Sequence, residues 1–122
     1  MLVTHIYFNG QCKDAIDLYV KAFSATIETL ILKPDQENLV VHAEITIHGQ
    51  LLMLNDFGDN DGVSKSGGYQ LSVRFGSEED LKNTYRIIKE GSTIISPMQA
   101  TDYSSCVVRF IDRFDVRWAF WV

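Results

Sequence analysis

His5, His42 and Glu44 are the residues whose types could do chemistry together. His42 and Glu44 stand two apart in a segment that alternates in polarity, so both project from one face of a strand. Two imidazoles and a carboxylate make a known metal-ligand set. Without a metal, a His–Glu pair can move a proton. Polar residues lining a half-exposed strand have the same spacing, so the metal, acid–base and plain polar readings all stay open. His5 belongs to a separate strand near the start, expected one or two strands away from the pair.

Other reactive side chains read more simply. Cys106 precedes Val107 and Val108 in an apolar run and is expected to be a buried structural thiol, and Cys12, on the apolar stripe of a helix, is expected in the core or at a dimer contact. His48 beside Gly49 is a turn residue. Asp56, Asp59, Asn60 and Asp61 lack the spacing and closing Glu of an EF-hand calcium loop and read as a solvated loop. On the last strand Trp118 and Phe120 face one way and Trp121 the other; one side packs in the core, and the other could wall a pocket.

The elements that position these residues follow from periodicity. Thr4 to Phe8 is a strand ended by Asn9-Gly10, and 11–23 is a helix with Cys12, Ala15, Ile16, Tyr19 and Phe23 on one stripe. Strands follow over 26–32, closed by Pro34, then 39–47 and 50–55. In 39–47, Leu39, Val41, Ala43, Ile45 and Ile47 are expected on one face, with Val40, His42, Glu44 and Thr46 on the other. A Gly-, Asp- and Ser-rich stretch separates this module, about 1–57, from a second at about 68–122, leaving a linker at about 58–67. The second module has a strand over 69–75 and a helix capped by Ser77 and stopped near Gly91. Three further strands follow over 92–95, 105–111 and 116–122, the first ended by Pro97. At a shift of about 67 residues Ile6 and Phe8 fall on Val73 and Phe75, and Thr26-Ile27 falls on Thr93-Ile94, which marks an internal repeat. The expected fold class is α+β: one domain of two βαβββ modules forming a curved mixed sheet. One helix covers one face of each sheet. The other face, bearing His5, Tyr7, His42 and Glu44, is left to a cavity or to solvent.

Composition narrows the function classes. A formal charge of −5 with no run of cations argues against a nucleic-acid groove. No apolar stretch approaches the roughly 20 residues of a membrane span. The start lacks the features of a secretory signal, and two cysteines are too few for a disulfide framework, so a reduced, cytoplasmic protein is expected.

Three runs resemble the PhnB-like branch of the vicinal-oxygen-chelate superfamily, which includes glyoxalases, dioxygenases and bleomycin-resistance proteins. They are Phe8-Asn9-Gly10-Gln11-Cys12-Lys13-Asp14-Ala15-Ile16-Asp17-Leu18-Tyr19, then His42 to Gly49 with Leu52 to Asp56, and finally Asp112-Arg113-Phe114-Asp115-Val116-Arg117-Trp118. The resemblance implies paired βαβββ modules of glyoxalase-like fold and a homodimer. Ser24 and Asp115 stand where the family has Gly, and Asp102-Tyr103-Ser104 replaces an aromatic–Gly pair. Some members of the branch carry a demethylubiquinone methyltransferase label, but no Gly-rich loop here would cradle S-adenosylmethionine. Metal-dependent relatives place ligands on the first and last strand of each module. The matching positions here are Thr4 or His5, Met53, Gly68 or Tyr69, and Ala119 or Phe120, and only His5 could ligate. No metal or other cofactor is therefore expected.

The leading expectation is a small-molecule-binding protein whose ligand touches His5, Tyr7, His42, Glu44, Met53, Asn55, Tyr103 and Trp118. Two alternatives remain: a lyase, isomerase or dioxygenase, and a stable fold whose cavity has closed. No nucleic acid and no membrane are expected as partners.

Overall fold

In a computed structural model describing residues 1–56 and 65–122, the chain forms two compact units, one reaching Val63 and the other starting at Ser64. Asp59, Asn60 and Asp61 lie outside the described residues. The first unit contains β1 (Thr4–Phe8), α1 (Cys12–Phe23), β2 (Thr26–Lys33), β3 (Gln36–Ile47) and β4 (Gln50–Asp56). The second repeats the order as β5 (Leu71–Arg74), α2 (Glu78–Ile88), β6 (Thr93–Gln99), β7 (Val107–Ile111) and β8 (Arg117–Trp121). The sheets run β1-β4-β3-β2 and β5-β8-β7-β6, each with one parallel pair, between its first and last strands. The repeat visible in the sequence is thus a repeat of topology, and the α+β assignment with two βαβββ modules holds. No described helix is long and apolar enough to cross a membrane.

In the first unit α1 buries Cys12, Ala15, Ile16, Tyr19 and Phe23, the expected stripe. The sheet residues of this core include Ile6, Phe8, Ala43, Ile45, Leu52 and Leu54. Full burial of one such Leu, Ile or Phe side chain is worth about 1.5–3 kcal/mol. In the second unit Tyr85 of α2 meets Phe110 edge-on at 5.2 Å, and Phe110 in turn meets Phe120 at 5.0 Å. Ser77 caps α2 as expected, its Oγ accepting from the Asp80 N–H at 3.1 Å. His48 and Gly49, both with positive φ, join β3 to β4 in a two-residue turn whose twist suits a hairpin.

The structure differs from expectation at three points in β3 and β6. β3 begins at Gln36, because Pro34-Asp35 is itself a tight link between β2 and β3. The alternation in β3 breaks at Val41: Ile31 pairs with His42 but Leu32 pairs with Val40, so Val41 is an extra residue on β3. Val40 is consequently buried and Val41 exposed, the reverse of the even alternation. β6 runs through Pro97, which sits where the β6–β7 register is irregular on an edge strand and so removes no regular ladder bond.

Candidate functional site

The face of the first sheet away from α1 gathers six of the expected residues. β4 lies between β1 and β3, with Met53 opposite both His5 and Glu44, and Asn55 opposite Tyr7. His5 and His42 therefore flank β4, and their rings meet edge-on at 6.1 Å. The Tyr7 ring is 4.7 Å from His5, and His42 Nε2 is 3.7 Å from Glu44 Oε2. The His42 and Glu44 side chains are 31% and 25% exposed, so they neither point freely to solvent nor bury fully. His5 converges with the His–Glu pair, a juxtaposition that spacing along the chain left open.

Two polar atoms here lack hydrogen-bond partners among the described residues: His5 Nε2 and Asn55 Oδ1, both buried. An unmatched buried donor or acceptor costs about 1–3 kcal/mol, so such atoms are uncommon unless something else meets them. Burial first, and the charge on His42 second, push the His5 pKa down from its ordinary 6.5. At neutral pH His5 is thus a neutral imidazole, able to donate from one nitrogen and accept at the other.

The remaining two expected residues lie in the second unit and part company. Tyr103 is exposed and helps line a pocket on the uncovered face of that sheet. Trp118 does not face that side: it is 1% exposed, and its indole N–H donates to Asp112 Oδ2 at 2.9 Å. The alternation along β8 instead puts Trp121 on the open face. Strand parity separated the two tryptophans but could not say which face α2 covers.

Two carboxylates have structural roles that the sequence did not show, and Asp56, expected in a solvated loop, instead ends β4. Asp56 Oδ1 accepts from the Gly10 and Cys12 N–H groups at 2.7 and 3.1 Å, and its Oδ2 accepts from Val40 at 2.9 Å. It caps α1, whose own N-cap residue Gln11 makes no side-chain cap. Asp112, buried, accepts from Phe114 and Val116 N–H as well as from Trp118. Cys12 and Cys106 are buried free thiols whose pKa values burial pushes up, which makes them poor nucleophiles.

The positions at which the resemblance implies metal ligands do not carry donors that would hold a divalent metal. Opposite His5 stands the thioether of Met53, and the matching second-unit positions offer Tyr69, Ala119 or Phe120 and no carboxylate. Among the described residues no group of three His, Cys, Asp or Glu side chains is placed to hold a metal ion.

No family model matches the chain, and no curated protein matches it. Solved structures do. A Bacillus cereus PhnB protein, provisionally described as a 3-demethylubiquinone-9 3-methyltransferase, superposes with a TM-score of 0.90 at 22% identity, covering 98% of this chain and 97% of that one. A Pseudomonas aeruginosa protein gives 0.87 at 22% identity, covering 98% and 95%. The fosfomycin resistance protein FosX of Listeria monocytogenes gives 0.71 at 13% identity, covering 99% and 90%. With its two βαβββ units in the same strand order, this chain has the glyoxalase fold, in the form that the PhnB protein and FosX share with it.

Proposed function

We propose that the chain is a PhnB-like member of the vicinal-oxygen-chelate superfamily that binds a small molecule without a resident metal. The ligand lies on the uncovered face of the first sheet, against His5, Tyr7, His42, Glu44, Met53 and Asn55. The observation that carries this reading is the pair of unpartnered buried atoms, His5 Nε2 and Asn55 Oδ1, on one face. A ligand presenting an acceptor or donor to the imidazole and a donor to the amide oxygen would satisfy both. The two free, buried cysteines accord with a reducing compartment. Homodimerisation, implied by the resemblance, is part of the same proposal.

Native mass spectrometry of untagged protein prepared without chelator tests the reading, together with an NMR fragment screen read at the three histidines. The expected result is protein free of metal, with fragments shifting His5 and His42 while His48, at its turn, stays still. One retained metal per chain, or fragments that never move His5 and His42, would overturn it. The 3.7 Å contact of His42 with Glu44 favours a second reading, metal-free acid–base catalysis on the same ligand. In that case the bound molecule is converted by the wild type and not by Glu44→Gln.

A further inference from the structure

The second sheet carries its charge in one sign only. Strands β5 to β8 contain Arg74, Arg109 and Arg117 and no Asp or Glu, in a chain whose formal charge is −5. Register places all three on the same face. Arg74 pairs with Trp121, Arg109 with Ala119, and Arg117 with Ile111, while Arg117, Ala119 and Trp121 alternate along β8. The opposite face carries Phe110, Trp118 and Phe120, against which α2 packs. Among the described residues none of the three guanidinium groups is in an ion pair. Charge on this face is therefore uncompensated by the sheet that carries it.

A pocket of about 150 Å³ opens on the same face. Its apolar floor is Val107, Ala119 and the Trp121 ring, and its polar wall is Arg109, Tyr103, Ser72 and Gln70. Arg109 Nη2 donates to the Tyr103 hydroxyl at 3.3 Å, which orients the guanidinium. The Arg74 guanidinium carbon lies 5.2 Å from the Trp121 ring centroid, within cation–π range, and so steadies that ring. A guanidinium offers a carboxylate two parallel hydrogen bonds, and an indole offers a flat ring a stacking surface. A cavity of about this volume admits a single benzene ring.

We infer that this pocket binds a small carboxylate carried on one flat ring, an aryl carboxylate, with Arg109 as the carboxylate partner and Trp121 as the ring platform. The pocket is lined by second-unit residues alone and uses none of those on the His5 face. An open pocket taking a ligand of this size holds it with a Kd on the order of 0.1–1 mM. The apolar floor discriminates against a bare anion, and the unpaired arginine discriminates against a neutral ring.

The test is an NMR titration of the full chain at low salt with benzoate, benzyl alcohol and inorganic phosphate in turn, read at the Trp121 indole and the Ala119 amide. Benzoate is expected to shift both, with benzyl alcohol and phosphate at least tenfold weaker. Arg109→Gln should weaken benzoate at least tenfold. Tyr103→Phe, which removes one hydroxyl, should weaken it a few-fold. Arg117→Gln lowers the charge of the face by the same amount from outside the pocket and should cost less than threefold. Equal binding of benzoate and benzyl alcohol, phosphate binding as tight as benzoate, or no loss in either Arg109→Gln or Tyr103→Phe would overturn the inference. Because the reporters are Trp121 and Ala119, a failure here is distinct from a failure at His5 and His42.

Discussion

Protonating His5 places a charge where burial and the neighbouring His42 both oppose it. The pKa of this imidazole is therefore lower in the folded chain than the 6.5 of the unfolded one. Above 6.5 both states hold it neutral, and it contributes nothing to the pH dependence. As pH falls through 6.5 the unfolded chain takes up the proton first, so stability falls until the folded pKa is passed and levels off below it. Urea midpoints at pH 7.5 and 5.0 should thus differ more for the wild type than for His5→Gln. An NMR titration of His42→Gln should show the His5 pKa rising part of the way back, because the second of its two causes is gone. An unchanged His5 pKa in that variant would mean that burial alone sets it. His5 and the His42–Glu44 pair were legible in the sequence as chemistry-bearing types. Their convergence was not, because it depends on β4 inserting between β1 and β3, and strand order does not show in residue spacing. Trp118 was misplaced for a related reason: alternation gives two faces, and only the docked helix says which one is buried.

At the scale of elements, Ser24 and Asp115 both adopt the left-handed conformation, and among the described residues only one of them has hydrogen bonds to offset it. Ser24 ends α1 in the left-handed region at φ 53°, where a Cβ is crowded and Gly is at ease. Its side chain makes no hydrogen bond that would be lost on substitution among those described, so Ser24→Gly should stabilise the chain by roughly 0.5–1 kcal/mol, the relief of strain less the added entropy of unfolded Gly. A denaturant midpoint that falls instead would show that the Ser24 conformation costs nothing. Asp115 is a different case. It too has positive φ, at 69°, but its carboxylate accepts from the Lys65 N–H and the Ser66 hydroxyl, so the same change there would trade strain relief for lost hydrogen bonds. Such substitutions could be noticed in the sequence, since Gly is what a left-handed position selects. The capping of α1 by Asp56 could not, because a side chain some forty residues away reaches it through the end of β4. The bulge at Val41 was equally hidden: an extra residue in an otherwise regular alternation shows itself only when the partner strand supplies the register.

Across the whole molecule, the edges of the sheets pose the remaining physical question. β2 is an edge strand, and Ile27, Leu30 and Ile31 along it are exposed, as is neighbouring Val41. An exposed apolar edge invites pairing with another chain unless something blunts it. β6, the corresponding edge of the second sheet, also exposes Ile94 and Ile95 but is blunted by Pro97 and an irregular register. β2 has no proline, so of these two edges it is the one at which the proposed homodimer should form. Light scattering at micromolar concentration should then give twice the chain mass. Leu30→Lys, at an exposed position beside Ala43 and away from the His5 face, should halve it while leaving the circular dichroism unchanged. A lysine in the centre of an apolar contact has lost its hydration without gaining a partner, so dissociation should persist at high salt, where a merely electrostatic effect would fade. A wild-type monomer would remove the dimer from the proposal and leave the β2 edge as an aggregation liability. A dimer indifferent to Leu30→Lys would move the interface to another surface of the chain.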